Sequence, residues 1–308
     1  MTDNRSADRS GAVMLNLHRL QLLVELRNRG TIAAVADALG YSPSAVSQQL
    51  SRLEREAHAP LMAPVGRRVV LTQQGNLLAD HAQHLLVEVE RAETALAQWS
   101  GEAVGVLRLA MLWTLTATLG TELLLRLQAR HPQLDVRLRE VPAEGALAAL
   151  RSHDVDLVVV EESSFGEADV DNGAVHLEPF LDDPLVLAVP PQWGPVDLAA
   201  VVQRPWATSA GGSTRLWVEK LCRRAGGTAQ IRYETDHPLV LLQFVEDGLA
   251  AALLPQMLVA SRAPHLPRIE LPAEVSRTIS SAVRTGSQFH PSVVACLTEL
   301  RQLLDLPD

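Results

Sequence analysis

Residues 31 to 53, TIAAVADALGYSPSAVSQQLSRL, constrain the fold more than any other stretch of this chain. Ile32, Val35, Ala36 and Leu39 repeat at helical spacing and make one apolar face. Gly40 suits a turn that needs positive φ. Ser42 is a good N-cap. Pro43 loses nothing at the first helical position, where an N–H would have no partner within the helix. In the second helix Val46, Leu50 and Leu53 line the inner side, while Ser44, Gln48, Ser51, Arg52 and Arg55 point outward. The spacing predicts two short helices joined by a tight turn. That is the layout of a helix-turn-helix, whose second helix enters the major groove of double-stranded DNA. Ser and Gln read base edges there, and Arg reaches phosphates. The competing reading is an ordinary helical hairpin with a solvated polar face.

The flanking segments favour the first reading. Leu15, Leu20, Leu23 and Leu26 supply a preceding helix and complete a three-helix core. After the second helix comes PLMAPVGRRVVLT, residues 60 to 72. Gly66 reads as a hairpin tip, followed by Arg67, Arg68 and the β-rich run Val69 to Leu71. Such a wing places two guanidinium groups against DNA backbone or minor groove.

From Thr72 to about Gln98 there is no proline. Leu78, Ala82, Leu85, Val89, Ala92, Leu96 and Trp99 follow one another in alternating steps of four and three, a heptad seam. The helix would be roughly 40 Å long. A stripe that narrow calls for a partner helix, which makes this a dimerisation helix. Packing against its own body is the alternative. His81 and His84 lie three apart on this helix and read as a solvated face rather than a metal site.

At 308 residues the chain suits two or three domains. Its 47% hydrophobic and 20% charged residues suit a soluble globular protein with a sizeable core. No apolar run reaches the roughly 18 residues of a membrane span, and the polar start MTDNRSADRSGAV lacks a signal-peptide core. A cytoplasmic protein without membrane association is expected. Cys222 and Cys296, far apart and in no metal-binding spacing, read as buried free thiols. The net charge of −9 is unevenly spread, since residues 1 to 72 hold nine Arg and only six acids. A basic head on an acidic body approaches DNA head first.

Beyond the small-residue hinge at 100 to 105, strand and helix patterns alternate. Strands are expected at Val106–Ala110, Leu134–Leu138, Val155–Val160, Pro184–Val189, Ile231–Glu234, Leu249–Leu254 and Ile279–Val283. Helices are expected at Thr118–Arg130, Glu144–Ser152, Thr214–Ala225, Pro238–Asp247 and Pro291–Leu304. This order predicts an open, mostly parallel sheet covered by helices. Asp154, Asp156, Glu161 and Glu162 crowd a strand end and read as solvated acids. There is no Gly-x-Ser-x-Gly elbow, no P-loop and no His-Glu-x-x-His, so no catalytic residue, metal or cofactor is expected.

Residues 15 to 76 resemble the winged helix-turn-helix of LysR-type transcriptional regulators. The matching pieces are Gly30 through Ala36, Leu39, Ser42 through Val46, Ser47-Gln48, Leu53-Glu54, Pro60-Leu61, Gly66-Arg67-Arg68, Leu71-Thr72 and Gly75. The family usually follows its Pro-Leu with Phe-x-Arg; here the run is Met62-Ala63-Pro64, without the aromatic plug or the basic residue. The body resembles the family's effector domain, which is like a periplasmic binding protein, most clearly at Gly248 through Pro255 and Glu234-Thr235-Asp236.

The resemblance implies an α+β multidomain chain. Its parts are a disordered tail (1–13), the winged head (14–72), a linker helix (73–99) and an α/β effector domain of two subdomains (100–308). Subdomain I is expected at 106–161 and 269–308, and subdomain II at 162–268. The expected DNA contacts are Thr31, Ser42, Pro43, Ser44, Ser47, Gln48, Ser51, Arg52, Arg67 and Arg68. The dimer seam is Leu78, Ala82, Leu85, Val89, Ala92 and Leu96.

Ligands of open α/β sheets sit outside the carboxyl ends of strands, here between the subdomains. Thr114, after the first strand, matches a position where the family commonly binds effectors. So do Thr208 and Ser209, in the loop Ala207–Gly212 taken to follow the domain-crossing strand. ST-capping of the following helices is the alternative. Trp113, Trp206 and Trp217 fall near the same cleft, either as an aromatic effector contact or as packed core, and Trp113 is taken as an effector contact. The implied partners are a pseudo-palindromic DNA site, a small-molecule effector of carboxylate or aromatic character, a second or fourth copy of the chain, and RNA polymerase. Two alternatives stay open: a ligand-binding protein-interaction module, and an α/β enzyme with an appended helical domain.

Overall fold

Asn16 opens the first helix, α1 (Leu17–Arg29), by accepting from the Arg19 N–H, and Gly30 closes it at φ +74°. Thr31 caps α2 (Ile32–Leu39) through the Ala34 N–H at 3.1 Å, and Gly40 ends it at φ +68°. Ser42 and Pro43 then start α3 (Pro43–Ala57), with the Ser42 hydroxyl accepting from the Ala45 N–H. These are the local signals of the sequence, each satisfying an orphan backbone group. The structure, a computed structural model, describes residues 14–66, 68–140, 143–161, 173–272 and 274–305, so the expected tail at 1–13 lies outside the described residues.

The chain divides into a unit ending at Ala95 and another from Leu96. In the first, Leu20, Leu23, Leu26, Val35, Ala36, Val46, Leu50 and Leu53 are buried together. Each large aliphatic so enclosed contributes about 1.5–3 kcal/mol. Arg19 ties α1 to α3, donating to both carboxylate oxygens of Glu56 and to Gln49. β1 (Met62–Val65) pairs antiparallel with β2 (Arg68–Leu71), Met62 opposite Leu71, and Gly66 turns between them at φ +61°. The wing therefore forms despite the departure at Met62-Ala63-Pro64. Met62 packs on the head's core, and Glu54 Oε1 accepts from the Leu61 and Met62 N–H groups at 2.9 and 3.0 Å.

Helix α4 (Gln73–Ser100) is capped by Thr72, whose hydroxyl donates to the Pro60 carbonyl and accepts from the Gly75 N–H. Gly75 is required by close approach, because a Cβ there would stand 2.1 Å from the Leu61 carbonyl oxygen.

The second unit is built on one sheet whose strands lie in the order 134–140, 105–111, 157–161, 276–284, 175–188, 251–255, 205–208 and 230–234, with 268–269 also paired to 175–188. The first subdomain holds β3 (Gly105–Met111), β4 (Leu134–Glu140) and β5 (Leu157–Glu161), with β3 parallel to both others. Helix α5 (Trp113–Leu115) runs through a π-turn, Thr116–Gly120, into α6 (Thr121–Arg130), and α7 (Ala143–Arg151) precedes β5. Alternation along the strands sends Leu157 and Val159 into a core with α6, and Val158 and Val160 into one with α7.

The long β6 (Val175–Ala188) then crosses between subdomains. The second holds α8 (Leu198–Val202), β7 (Pro205–Thr208), α9 (Gly212–Arg224), β8 (Gln230–Glu234), α10 (Pro238–Glu246), β9 (Ala251–Pro255), α11 (Gln256–Arg262) and β10 (Arg268–Ile269). β11 (Ser276–Arg284) returns to the first subdomain, and α12 (Pro291–Leu303) packs there beside α6.

Strand pairing moves the expected boundaries. Residues 175–184 of β6 pair with β11 in the first subdomain's sheet, and only 185–188 pair with β9. β10 pairs with Ala188 and Leu187 in the second. The crossings therefore fall near 184 and 275, rather than at 161/162 and 268/269. Thr208 ends strand β7 instead of lying in a loop, and the strand before it is an interior one rather than the crossing one.

Candidate nucleic-acid interface and effector cleft

On α3 the inner face is fully buried, whereas Pro43, Ser44, Gln48, Ser51 and Arg52 are exposed and Ser47 is half-buried. Thr31 and Ser42 have a structural task as helix caps, and the Ser42 and Ser44 hydroxyls lie 3.0 Å apart. Arg67 lies outside the described residues; Arg68 pairs through its backbone with Val65. Glu54 and Arg19 were not singled out as functional by the sequence, yet they set where wing and recognition helix sit.

The linker helix divides its expected seam. Ala82 is enclosed in the head's own core and Leu78 packs against that core, so Ala82 is closed to a partner helix. Val89 is half-buried, while Leu85, Ala92, Leu96 and Trp99 are exposed, the last two by 75% and 93%.

In the second unit, the carboxyl ends of β3, β5, β7 and β8 converge. Thr114 is buried, and its hydroxyl accepts from Arg277 Nη2 at 2.8 Å. Arg277 also donates to Asp183, whose other oxygen accepts from the Met257 N–H at the start of α11. Trp113 is half-buried with its ring 6.4 Å from that of His237, which precedes α10. Glu161 Oε1 accepts from the Ser213 hydroxyl at 2.7 Å. Thr208 is buried, and Ser209 donates to the Gly211 carbonyl. Arg277, Asp183, Glu161, Ser213 and His237 join the cleft only through long-range strand pairing.

One open alternative resolves here, and one expectation changes. Trp206 is wholly buried in the core beneath the helix 212–224, and Trp217 packs against that core with Lys220 over its ring; Trp113 faces His237 of the other subdomain. The acids near β5 are engaged rather than merely solvated. Asp156 binds Arg284 and the Arg108 N–H, Asp154 accepts from Ser152, and Glu161 holds Ser213; Glu162 lies outside the described residues. Both cysteines are buried in separate cores. Burial pushes the Cys222 thiol up to about 11, and burial with the nearby Glu299 charge pushes Cys296 up to about 12.

A winged helix-turn-helix joined to a two-subdomain α/β binding body defines a one-component regulator: one part reads DNA, the other a ligand. Residues 17–76 match the family described as bacterial regulatory helix-turn-helix protein, lysR family, and residues 100–305 match the LysR substrate binding domain. The chain belongs to the LysR family of transcriptional regulators, which sets aside the enzyme and the protein-interaction module.

It is similar to the DNA-binding transcriptional dual regulator OxyR of Escherichia coli, at 25% identity over 94% of this chain and 96% of that one. It is 29% identical to a probable hydrogen peroxide-inducible genes activator of Mycobacterium leprae, over 77% of this chain and 76% of that one. Its fold is like that of a full-length OxyR from Pseudomonas aeruginosa, with a TM-score of 0.62 at 19% identity over 94% and 95% of the two chains. No helix among the described residues is long and apolar enough to cross a membrane.

Proposed function

We propose that the head reads the two halves of a pseudo-palindromic double-stranded DNA site, as a cytoplasmic homodimer or homotetramer paired through the exposed part of α4. Ser44, Ser47, Gln48 and Ser51 meet base edges in the major groove. Arg52 and the wing arginines Arg67 and Arg68 meet phosphate or minor groove, while Thr31, Ser42 and Pro43 present helix starts to the backbone. The observation that carries this reading is α3 itself, buried on one face and lined on the other with exposed Ser, Gln and Arg.

A small-molecule effector occupies the cleft beside Trp113, Thr114, Thr208 and Ser209. Carboxylate and aromatic groups suit its helix starts and its Trp113–His237 pair. Effector binding shifts the packing of the subdomains and with it the spacing and bending of the bound half-sites, and RNA polymerase reads the outcome. Footprinting on the DNA beside the protein's own gene tests the reading, with a protected, salt-sensitive, two-fold site as the expected result. Absence of sequence-specific binding by the full-length protein would overturn it.

A further inference from the structure

The helix that follows β3 changes width part-way along. Between α5 (Trp113–Leu115) and α6 (Thr121–Arg130) the chain runs as a π-turn, Thr116–Gly120. Such a turn holds one residue more than an α-turn, and side chains enter the ladder where it widens. The Thr118 hydroxyl donates back to the Thr114 carbonyl at 2.8 Å, with the Leu115 carbonyl at 3.3 Å. The Ala117 carbonyl accepts from Arg262 Nη2, which comes from the last residue of α11 in the second subdomain.

α11 grips the turn at a second place. Met257 packs against the first subdomain's core, as Leu112 and Leu119 do, and its sulfur lies 3.5 Å from the Thr118 hydroxyl. The Met257 N–H goes to Asp183, Asp183 accepts from Arg277, and Arg277 donates to the Thr114 hydroxyl. The contacts close a circuit: Thr114, Arg277, Asp183, Met257, Thr118, and back to Thr114. Thr118 has one proton for three acceptors, so the Thr114 carbonyl, the nearest, takes it.

The wide turn is therefore held at two points from outside its own segment. Arg277 holds Thr114 from within the core, through a pair that is costly to break. Arg262 is exposed and reaches across to one backbone carbonyl, so a movement of the second subdomain releases it first.

We propose that Arg262 is a positioning residue for the effector cleft: its bond to the Ala117 carbonyl keeps the turn at 116–120 wide and so fixes how Trp113 and Thr114 are presented. When the second subdomain withdraws Arg262, the turn closes to α and the extra residue passes back toward Leu112. One residue of register turns the preceding segment by about 100° and moves it by about 1.5 Å along the axis. That carries Trp113 off the His237 ring, 6.4 Å away, while Arg277 keeps its two bonds to Asp183. The inference rests on the reading of the cleft as the effector site, and adds how the position of one subdomain reaches the residues the other presents.

Amide hydrogen exchange of the full-length protein reads the turn directly. Arg262→Met should lower protection over residues 116–121 about 10-fold, the ratio that goes with one charge-assisted hydrogen bond, and leave 123–130 unchanged. Arg262→Lys keeps a donor on a stem of similar reach and should restore it. The emission of Trp113, taken as the difference from Trp113→Phe, should shift in Arg262→Met and return in Arg262→Lys. A variant lacking Ala117 has no extra residue, so its turn is α and indifferent to Arg262→Met. Should that variant fail to fold, Thr118→Val takes its place. With the turn's own hydroxyl gone, Arg262→Met should change protection by a different ratio than in the parent, because the two donors hold one register. Unchanged exchange or unchanged Trp113 emission in Arg262→Met, a loss that Arg262→Lys does not restore, or the same loss with and without Ala117 or the Thr118 hydroxyl would overturn the proposal.

Footprinting in the same samples separates the two levels. A footprint absent from every protein, the parent included, removes the reading of DNA and leaves the turn. A normal footprint with the exchange of 116–121 indifferent to Arg262 removes the positioning role and leaves the regulator.

Discussion

Arg277 and Asp183 stand opposite one another on β11 and β6, and their side chains meet at 2.6 Å with 8% and 2% of their surfaces exposed. These strands carry the chain out of the first subdomain and back. Through Arg277 the pair holds the Thr114 hydroxyl at the start of α5, and through Asp183 it holds the Met257 N–H at the start of α11. Thr118 of the π-turn donates to Met257 Sδ at 3.5 Å, and Arg262 of α11 donates to the Ala117 carbonyl. The crossing is thus a fastened joint, and Thr114, proposed above to meet the effector, lies one hydrogen bond from it.

Arg277→Met should be strongly destabilising. It strands a buried carboxylate, and breaking one side of such a pair costs about 3–5 kcal/mol. The double variant Arg277→Met/Asp183→Asn should recover much of that loss, because the uncompensated charge is gone. Urea unfolding of the body, followed by far-ultraviolet circular dichroism, measures both. Recovery absent in the double variant would mean that the lost packing, not the charge, dominates.

Gly75→Ala should damage the head without touching α3. The added methyl falls 2.1 Å from the Leu61 carbonyl oxygen, which is backbone and cannot swing away. Either the first turn of α4 or the start of the wing must shift, at a cost of about 1–3 kcal/mol for an overpacked site. The readouts are the melting temperature and DNA affinity, and both should fall. An unchanged melting temperature would show that helix and wing separate freely.

The head was legible because its signals are local. Thr31, Gly40, Ser42 and Pro43 act within four residues of themselves, and the strand alternation at 157–160 reports its own two faces. The first half of β6 was not legible. No element was expected over 175–183, where Glu178-Pro179 and Asp182-Asp183 interrupt the apolar pattern, and only pairing with β11, about 100 residues later, makes them strand. The same distance hides Arg277 beside Asp183 and Ser213 beside Glu161. At α4 the heptad pattern was correct as spacing but ambiguous as to partner. Periodicity marks an apolar stripe, and nothing in it says that Ala82 belongs to the head's own core.

Peroxide should leave this regulator indifferent, in contrast to what the name of its Mycobacterium leprae relative states of that protein. A thiol titrating at about 11 is thiolate in only about one molecule in 10,000 at neutral pH, and the thiolate is the reactive form. Cys222 and Cys296 also sit in separate cores. Their stabilising effect as neutral thiols is complete below the ordinary value of 9.0 and is lost only as pH rises toward about 11 and 12. Footprints with and without millimolar hydrogen peroxide should coincide, and Cys222→Ser should behave like the parent.

Gln48→Ala and Arg52→Ala should weaken DNA binding in different ways. Both side chains are exposed on α3, but an amide pairs with a base edge and a guanidinium with a phosphate. Gln48→Ala should relax preference at one position of each half-site by about 1–3 kcal/mol. Arg52→Ala should weaken all sequences alike and reduce the slope of log affinity against log salt by about one for each phosphate no longer neutralised. Titrations over a set of single-base variants at several salt concentrations separate the two. A uniform loss for Gln48→Ala would assign it to the backbone instead.

Leu96→Glu should dissociate the protein while leaving each head folded. The helix carrying it is rooted in the head by Ala79 and Ala82, so its first turns need no partner. Leu85, Ala92 and Leu96 are exposed on the remainder, an arrangement that water disfavours by roughly 25 cal/mol for each Å2 of apolar surface left uncovered. A facing helix at the same seam removes that penalty, and a carboxylate in its middle restores it with added desolvation. Sedimentation should show a smaller species for Leu96→Glu, with circular dichroism unchanged. DNA affinity should fall far more than for any single DNA-facing residue, because two tethered heads bind one palindrome with the benefit of effective concentration and a lone head does not. Leu85→Glu should act in the same direction. An unchanged sedimentation coefficient for both variants would place the interface elsewhere on the chain.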